Sequence, residues 1–386
     1  MFQPSPDGTS PPPAPSAWNS YVGQNPCTDI RIPNIVGFGP ALPYPIFGAP
    51  DIGFGDVVLA AFSKFGNLGE AGFGNLVGLL PAQNGTYTRY STLFNRTEFD
   101  QILGQGLYLR SSLPSSGVTF QNGSVDLKSA WVDMTNVKNP ERYYTRKAWV
   151  LDPFTAPNPT CTQITVGLVG LHIVSKTPSR PQWIWSTFEQ IDNVPGGASS
   201  GPFTYNNGDG LPMPPSNPDP WPPTSATPQV FNVQRLTPMH PSTTNTNARY
   251  QSELRRKSGP WQFYQLVMTQ WPLQLNPPQP IPPSQPGTPD NTFPGSSGAT
   301  TAFTNVTLET FDQTDINTGC MRCHEGTRQM TDFLWSLQVN AWPSRIAPQS
   351  TPMLALRPSP EAAAAAERLP PCLQTLKQLM QGAARH

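Results

Sequence analysis

The sequence predicts a mainly β fold of the α+β class. We expect an antiparallel sheet or sandwich with long Pro- and Gly-rich loops, followed by a short helical segment near the C-terminal end. Apolar and polar residues alternate in successive segments between residues 118 and 193, as they do in strands. Consecutive strands of this kind favour antiparallel pairing. The 386 residues include 49 Pro and 31 Gly, so much of the chain must form loops and turns.

The N-terminal third contains two helical patterns. Residues 56–62 are an apolar run that we interpret as the start of a short helix. Apolar residues at near-helical spacing predict a second helix within residues 94–110, with its start near Arg96.

The strand patterns follow in order after that helix. Asn122-Gly123 predicts a tight turn before an alternating segment at 124–132. Residues 164–174 are apolar on both faces, which predicts a central strand, and a hairpin-like loop at 176–181 leads to an aromatic strand at 182–189. Residues 261–271 fit a strand or a helix, and we favour a strand.

Composition divides the chain into four parts. Residues 1–20 hold six Pro among small polar residues and are expected to be a disordered arm. Residues 21–310 are predicted to form a β-rich domain with long Pro-rich loops. Residues 311–345 form a segment expected to pack on that domain, and residues 346–386 form a tail with an Ala-rich helix.

Charge and hydropathy exclude several classes of partner. The net charge is zero and only 12% of residues are charged, which argues against a nucleic-acid surface. No run of about 18 apolar residues is present, so we expect no transmembrane segment.

The strongest motif is Cys320-Met321-Arg322-Cys323-His324. Cys-x-x-Cys-His is the spacing that attaches a c-type haem, because two thiols bond the porphyrin and the following His ligates the iron. A zinc site would need two further ligands, but none of the other three Cys forms a second pair. A dithiol or disulfide is the remaining alternative. We expect one covalent haem c per chain, with Cys320, Cys323 and His324 as its attachment residues.

The sixth iron ligand decides the chemistry, because a closed iron carries electrons whereas an open one allows oxygen or peroxide chemistry. His172 is the first candidate, since it lies in an apolar strand on the face predicted to carry Ile164, Val166, Leu168 and Val174. A core His bonded to a carboxylate such as Glu189 is the competing interpretation. Met353, in a loop after the motif, is the alternative ligand.

Three aromatic residues are candidates to line the cofactor. Trp183 and Trp185 share one side of their predicted strand, and Phe333 follows the motif at a distance that would let it pack on the porphyrin. Ordinary core packing is the competing interpretation for all three.

Four segments in order resemble a family of bacterial exported proteins with a single Cys-x-x-Cys-His, known as cytochrome c family proteins. They are residues 125–131, residues 166–174 with 181–189, residues 261–266 with 269–271, and the motif with Asp332-Phe333. The resemblance implies a periplasmic or extracellular monohaem protein without an established reaction. Residues 1–6 lack the pattern of a signal peptide, so we expect a leader that the sequence as given does not include.

The sequence therefore predicts an exported c-type cytochrome that transfers one electron at a time. Its partner would be a redox protein or a small-molecule electron donor or acceptor. The alternatives are a haem peroxidase or oxidase with an open sixth position, and a structural or surface-assembly haem protein.

Overall fold

The computed structural model describes residues 57–59, 79–107, 109–152, 160–178, 180–196, 199–209, 228–272, 292–295, 304–313, 320, 324 and 327–341. The predicted arm at 1–20, the tail at 346–386, Cys323 and Met353 lie outside these residues.

One eight-stranded sheet forms the body of the protein, and most of its strands are antiparallel. The prediction of a mainly β, antiparallel fold is confirmed, as a sheet rather than a sandwich. Two parallel pairs, β1 with β4 and β7 with β8, lie at its outer ends. The strands are β1 (Val57–Leu59), β2 (Arg89–Phe94), β3 (Val125–Asp133), β4 (Thr145–Asp152), β5 (Thr160–Thr177), β6 (Arg180–Gln190), β7 (Tyr264–Pro272) and β8 (Thr292–Gly295).

Strand β5 is central, as its apolar character on both faces predicted. Strand β3 pairs with residues 166–175 of β5. Strand β4 pairs with residues 160–167 and β6 with residues 170–177. Strands β4 and β6 each pair with residues of β5 that also pair with β3. They therefore lie one after the other along the edge of β5 opposite β3.

Four helices are described: α1 (Arg96–Gly104), α2 (Pro241–Lys257), α3 (Arg328–Thr331) and α4 (Trp335–Asn340). Helix α1 lies within the predicted range. Asn95 caps it, since its side chain accepts the Glu98 N–H at 3.0 Å. Within the described residues, no helix has both the length and the apolar character needed to cross a membrane.

Helix α2 protects an edge of the sheet. The Asn247 side chain bonds both the N–H and the C=O of Leu266 in β7, at 2.8 and 2.7 Å. Gln251 donates to the Tyr264 carbonyl at 3.1 Å. These side chains satisfy backbone groups of β7 that would otherwise attract another strand.

Two short segments differ from the expected structure. Residues 57–59 form strand β1 rather than a helix, because they pair with residues 148–150 of β4. A short apolar run does not distinguish the two by its periodicity. Residues Pro260–Phe263 form a 3₁₀ turn, so the predicted strand at 261–271 begins at Tyr264.

Apolar side chains cover both faces of the sheet. One face carries a cluster that includes Trp131, Val166, Leu168 and Tyr264. The opposite face carries two clusters. We call one of them the tryptophan cluster, and it contains Ile102, Leu107, Val118, Phe120, Val174, Trp183, Trp185, Phe333, Leu334 and Leu337.

Candidate functional site

His324 is fixed by a backbone carbonyl. Its Nδ1 lies 2.6 Å from the carbonyl oxygen of Phe333. A carbonyl can only accept, so Nδ1 carries the proton and donates. In a neutral imidazole the lone pair is then on Nε2, which is the nitrogen that can ligate a metal. A backbone carbonyl that orients an imidazole in this way is a common feature of His ligands.

An unusual backbone turn presents this carbonyl. Asp332 and Phe333, between α3 and α4, have φ angles of 49° and 67°. Left-handed backbone at non-glycine residues costs on the order of 1–3 kcal/mol each. The turn is held by Asp332, whose Oδ2 accepts the Phe120 N–H at 2.9 Å, and by the Thr331 hydroxyl, which donates to the Leu334 carbonyl at 2.7 Å. The surrounding structure therefore stabilises a strained turn beside His324.

Aromatic rings form a wall next to His324. The Trp185 ring centroid lies 5.3 Å from that of His324 and 6.1 Å from that of Phe333. Trp183 lies behind Trp185 at 6.2 Å and is fully buried. Because side chains alternate along β6, Trp183 and Trp185 point to the same face, as predicted.

Cys320 lies beside the same wall. It is half-buried and packs against the tryptophan cluster. Cys320 and His324 each have helical backbone. The structure thus brings Cys320, His324, Phe333, Trp183 and Trp185 together, and their role in holding a haem stays a prediction.

Buried charges lie on the other side of Trp183. Lys176 Nζ is 2.5 Å from Asp332 Oδ2 and 5.4 Å from the Trp183 ring centroid. Burial raises the pKa of Asp332, and the neighbouring ammonium only partly offsets it. Burial also raises the pKa of Glu98 well above its usual range, and the carboxylates of Asp126 and Asp332 add to the effect.

Sequence reasoning missed this charged cluster. A signal was present, since Lys176 ends an otherwise apolar strand and Glu98 occupies the third position of a helix. Nothing in the sequence showed that the fold brings them together with Asp332.

His172 is bound to a carboxylate, although not to Glu189. Its Nε2 lies 2.7 Å from Glu309 Oε1, and Glu309 Oε2 accepts the Asn305 N–H at 2.8 Å. Burial alone would raise the pKa of Glu309, but His172, Lys128 and Asn305 together lower it below the usual value. An iron bond to His172 Nε2 would require His172 to leave Glu309. Its role as sixth ligand stays a prediction, and so does the role of Met353.

The expected face of His172 was wrong in part. A bulge in β5 places Gly170 opposite Ala130 and Leu168 opposite Trp131, so Val169 is an extra residue. Leu168 consequently packs on one face with Val166, whereas His172 lies on the other with Val174. The prediction that His172 shares a face with Ile164, Val166 and Leu168 assumed that side chains alternate strictly along the strand. The bulge interrupts this alternation.

No protein-family model, curated protein or solved structure matches the chain. Within the described part of the chain, no group of three or more His, Cys, Asp or Glu side chains is arranged to hold a metal ion.

Proposed function

We propose that the protein is an exported c-type cytochrome, periplasmic or extracellular, that carries one covalent haem and transfers single electrons. The observation that carries the proposal is the His324 ring, whose Nδ1 donates to Phe333 and whose face meets Trp185. This arrangement supports a metal-ligating Nε2 beside aromatic side chains, next to the Cys-x-x-Cys-His spacing.

The roles of the residues follow from this chemistry. Cys320 and Cys323 would form the two thioether bonds, and His324 would ligate the iron. Trp183, Trp185 and Phe333 would exclude water from one side. The haem itself would supply the one-electron redox couple, whose potential depends on burial and on the hydrogen bond to its axial His.

Covalent attachment is the first test. In a host that matures haem c, with an export signal added, we expect haem staining to persist on a denaturing gel. The double variant Cys320→Ala/Cys323→Ala should lose the stain, whereas Cys27→Ala, outside the motif, should keep it. Stain that persists in the double variant would refute the proposal.

A peroxidase or oxidase is the second candidate, and the His172–Glu309 contact favours it. Because Nε2 of His172 is bonded to Glu309, this nitrogen would have to leave Glu309 before it could ligate an iron. A spectrum with sharp low-spin bands that cyanide and CO leave unchanged would support the electron carrier. A high-spin spectrum with reactivity toward peroxide would support the enzyme.

His172 can be tested in the same spectrum. If it is the sixth ligand, His172→Ala should change the spin state. If its role is limited to the contact with Glu309, the variant should lose stability and keep the spectrum. Thr187→Ala, a buried change directly opposite on β6, is the matched control.

A further inference from the structure

Glu98 does not make the hydrogen bond that is usual for a glutamate at its position in a helix. At the third position of a helix, Glu commonly returns to bond the N–H of the capping residue. Here the Asn95 N–H donates instead to the Val125 carbonyl at 2.8 Å. The Glu98 side chain turns inward and is 0% exposed. Neither of its carboxyl oxygens has a hydrogen-bond partner among the described residues.

Three charged side chains face Glu98 from three elements. They are Asp126 from β3, Lys176 from β5 and Asp332 from the turn between α3 and α4. The one ammonium is already paired with Asp332 at 2.5 Å. Ionisation of Glu98 would place in the interior a negative charge that has no hydrogen-bond partner among the described residues, which is costly. A proton bound to the Glu98 carboxylate removes this cost, so Glu98 is the member of the group best placed to take up a proton.

Asp332 connects this proton site to the segment that holds His324. Glu98 and Ile102 are four residues apart on α1 and share a face. Ile102 packs in the tryptophan cluster with Trp185 and Phe333. Asp332 directly precedes Phe333, whose carbonyl holds His324. Charge added beside His324 consequently changes the electrostatic potential at Glu98, because screening is weak in the buried surroundings between them.

We propose that Glu98 is a redox-linked proton acceptor, which binds one proton when one electron is added at the group held by His324. The inference rests on the proposed function. One electron arrives from a protein or small-molecule donor, and one proton passes from water to the Glu98 carboxylate, so the net charge of the interior is unchanged. Oxidation returns the electron to an acceptor and the proton to water.

The midpoint potential against pH tests the coupling. We expect the wild-type potential to fall as pH rises within a window, with a slope approaching about 59 mV per pH unit, which corresponds to tenfold per unit for one electron. Glu98→Gln keeps the shape of the side chain and should remove the slope in that window. Glu141→Gln, at an exposed position, should retain it. An unchanged slope in Glu98→Gln would overturn the proposal.

A second variant covers a failure of Glu98→Gln to fold. Asp126→Asn removes a negative charge that disfavours ionisation of Glu98. The pH window should therefore move to lower pH, and a window that stays in place would contradict the coupling. Infrared difference spectra on reduction should also gain the C=O stretch of a carboxylic acid. The absence of this band from the wild type would argue equally against it.

The proton site can be measured without haem, in the Cys320→Ala/Cys323→Ala background. The folded pKa of Glu98 is raised above its ordinary value of 4.5. The folded state then binds more protons than the unfolded state above that pH, so the free energy of unfolding should fall as pH rises through the window up to the folded pKa. Glu98→Gln should remove this fall, and identical profiles would overturn the proton site.

The two failures are distinguishable. Covalent haem with a potential independent of pH would overturn the coupling and leave the cytochrome intact. A chain without covalent haem would overturn both the cytochrome and the coupling, whereas the haem-free stability profile would still report the proton on Glu98.

Discussion

At the scale of single residues, two of the Asn-x-Thr tripeptides in the sequence form the same turn. In Asn305-Val306-Thr307 the Asn oxygen accepts the Thr N–H at 3.0 Å and the Thr hydroxyl at 2.8 Å. The corresponding distances in Asn84-Gly85-Thr86 are 3.2 and 2.8 Å. Each Asn amide also donates to two oxygens of a neighbouring segment. Both turns therefore pin loops to the sheet.

Lys176 is a second case in which a single residue holds segments together, here through its charge. It is 4% exposed, and its ammonium pairs with Asp332, the residue that holds the strained turn beside His324. The ion pair thus links the end of β5 to the motif segment. Removal of either partner leaves a buried charge.

We expect Lys176→Met to destabilise the protein by about 3–5 kcal/mol, because Asp332 loses the buried ammonium with which it pairs. Urea unfolding measures the change. The double variant Lys176→Met/Asp332→Asn should cost less than the sum of the single variants, since it leaves no orphaned charge of the pair. Strict additivity would show that the two residues do not interact.

At the scale of elements, the β5 bulge sets which side chains meet the motif. Past the extra residue Val169, even-numbered residues of β5 face the segment 304–313 and the tryptophan cluster. Gly170 lies where that segment approaches most closely. A Cβ there would lie 2.1 Å from the Thr307 hydroxyl oxygen and 3.1 Å from Asn305 Oδ1.

Gly170→Ala should therefore destabilise the protein by about 1–3 kcal/mol, because the Asn305 turn must move. Thermal unfolding is the measurement. Gly104→Ala is the control, since nothing lies within 4 Å of its Cβ, and it should stabilise helix α1 by about 0.5–1 kcal/mol. Equal effects at both positions would contradict the close packing at Gly170.

The elements that sequence predicted are those with a clear apolar pattern. Strands β3, β5 and β6 follow this pattern, and so does α1. Helix α2 was missed because Thr243, Asn247 and Gln251 are buried on it and are polar. They recur at helical spacing but serve as hydrogen-bonding groups, so a search for apolar periodicity passes over them.

At the scale of the whole molecule, one part of the candidate site could be predicted from the sequence and another part could not. The attachment residues lie within five consecutive positions and could be found from spacing alone. The wall of Trp183 and Trp185 followed from alternation along a strand. The charged group around Glu98 depends on contacts between residues far apart in the chain, and one sequence without its fold does not reveal these.

The sheet should be most protected at its centre. Residues 166–167 and 170–175 of β5 have partners on both edges, whereas β2 pairs with β3 alone among the described strands. We expect amide hydrogen exchange to be slowest in β5 and faster in β2. Faster exchange in β5 would contradict the described topology.

The position of Trp183 and Trp185 in the chain has a consequence for biosynthesis. Strand β6 ends at residue 190, far before His324. The chain emerges from the ribosome with its N-terminal end first, so Trp183 and Trp185 appear long before the motif. A nascent chain halted before residue 320 would thus already display the apolar surface on which Cys320 and Phe333 later settle, and such an uncovered surface is where a chaperone would bind.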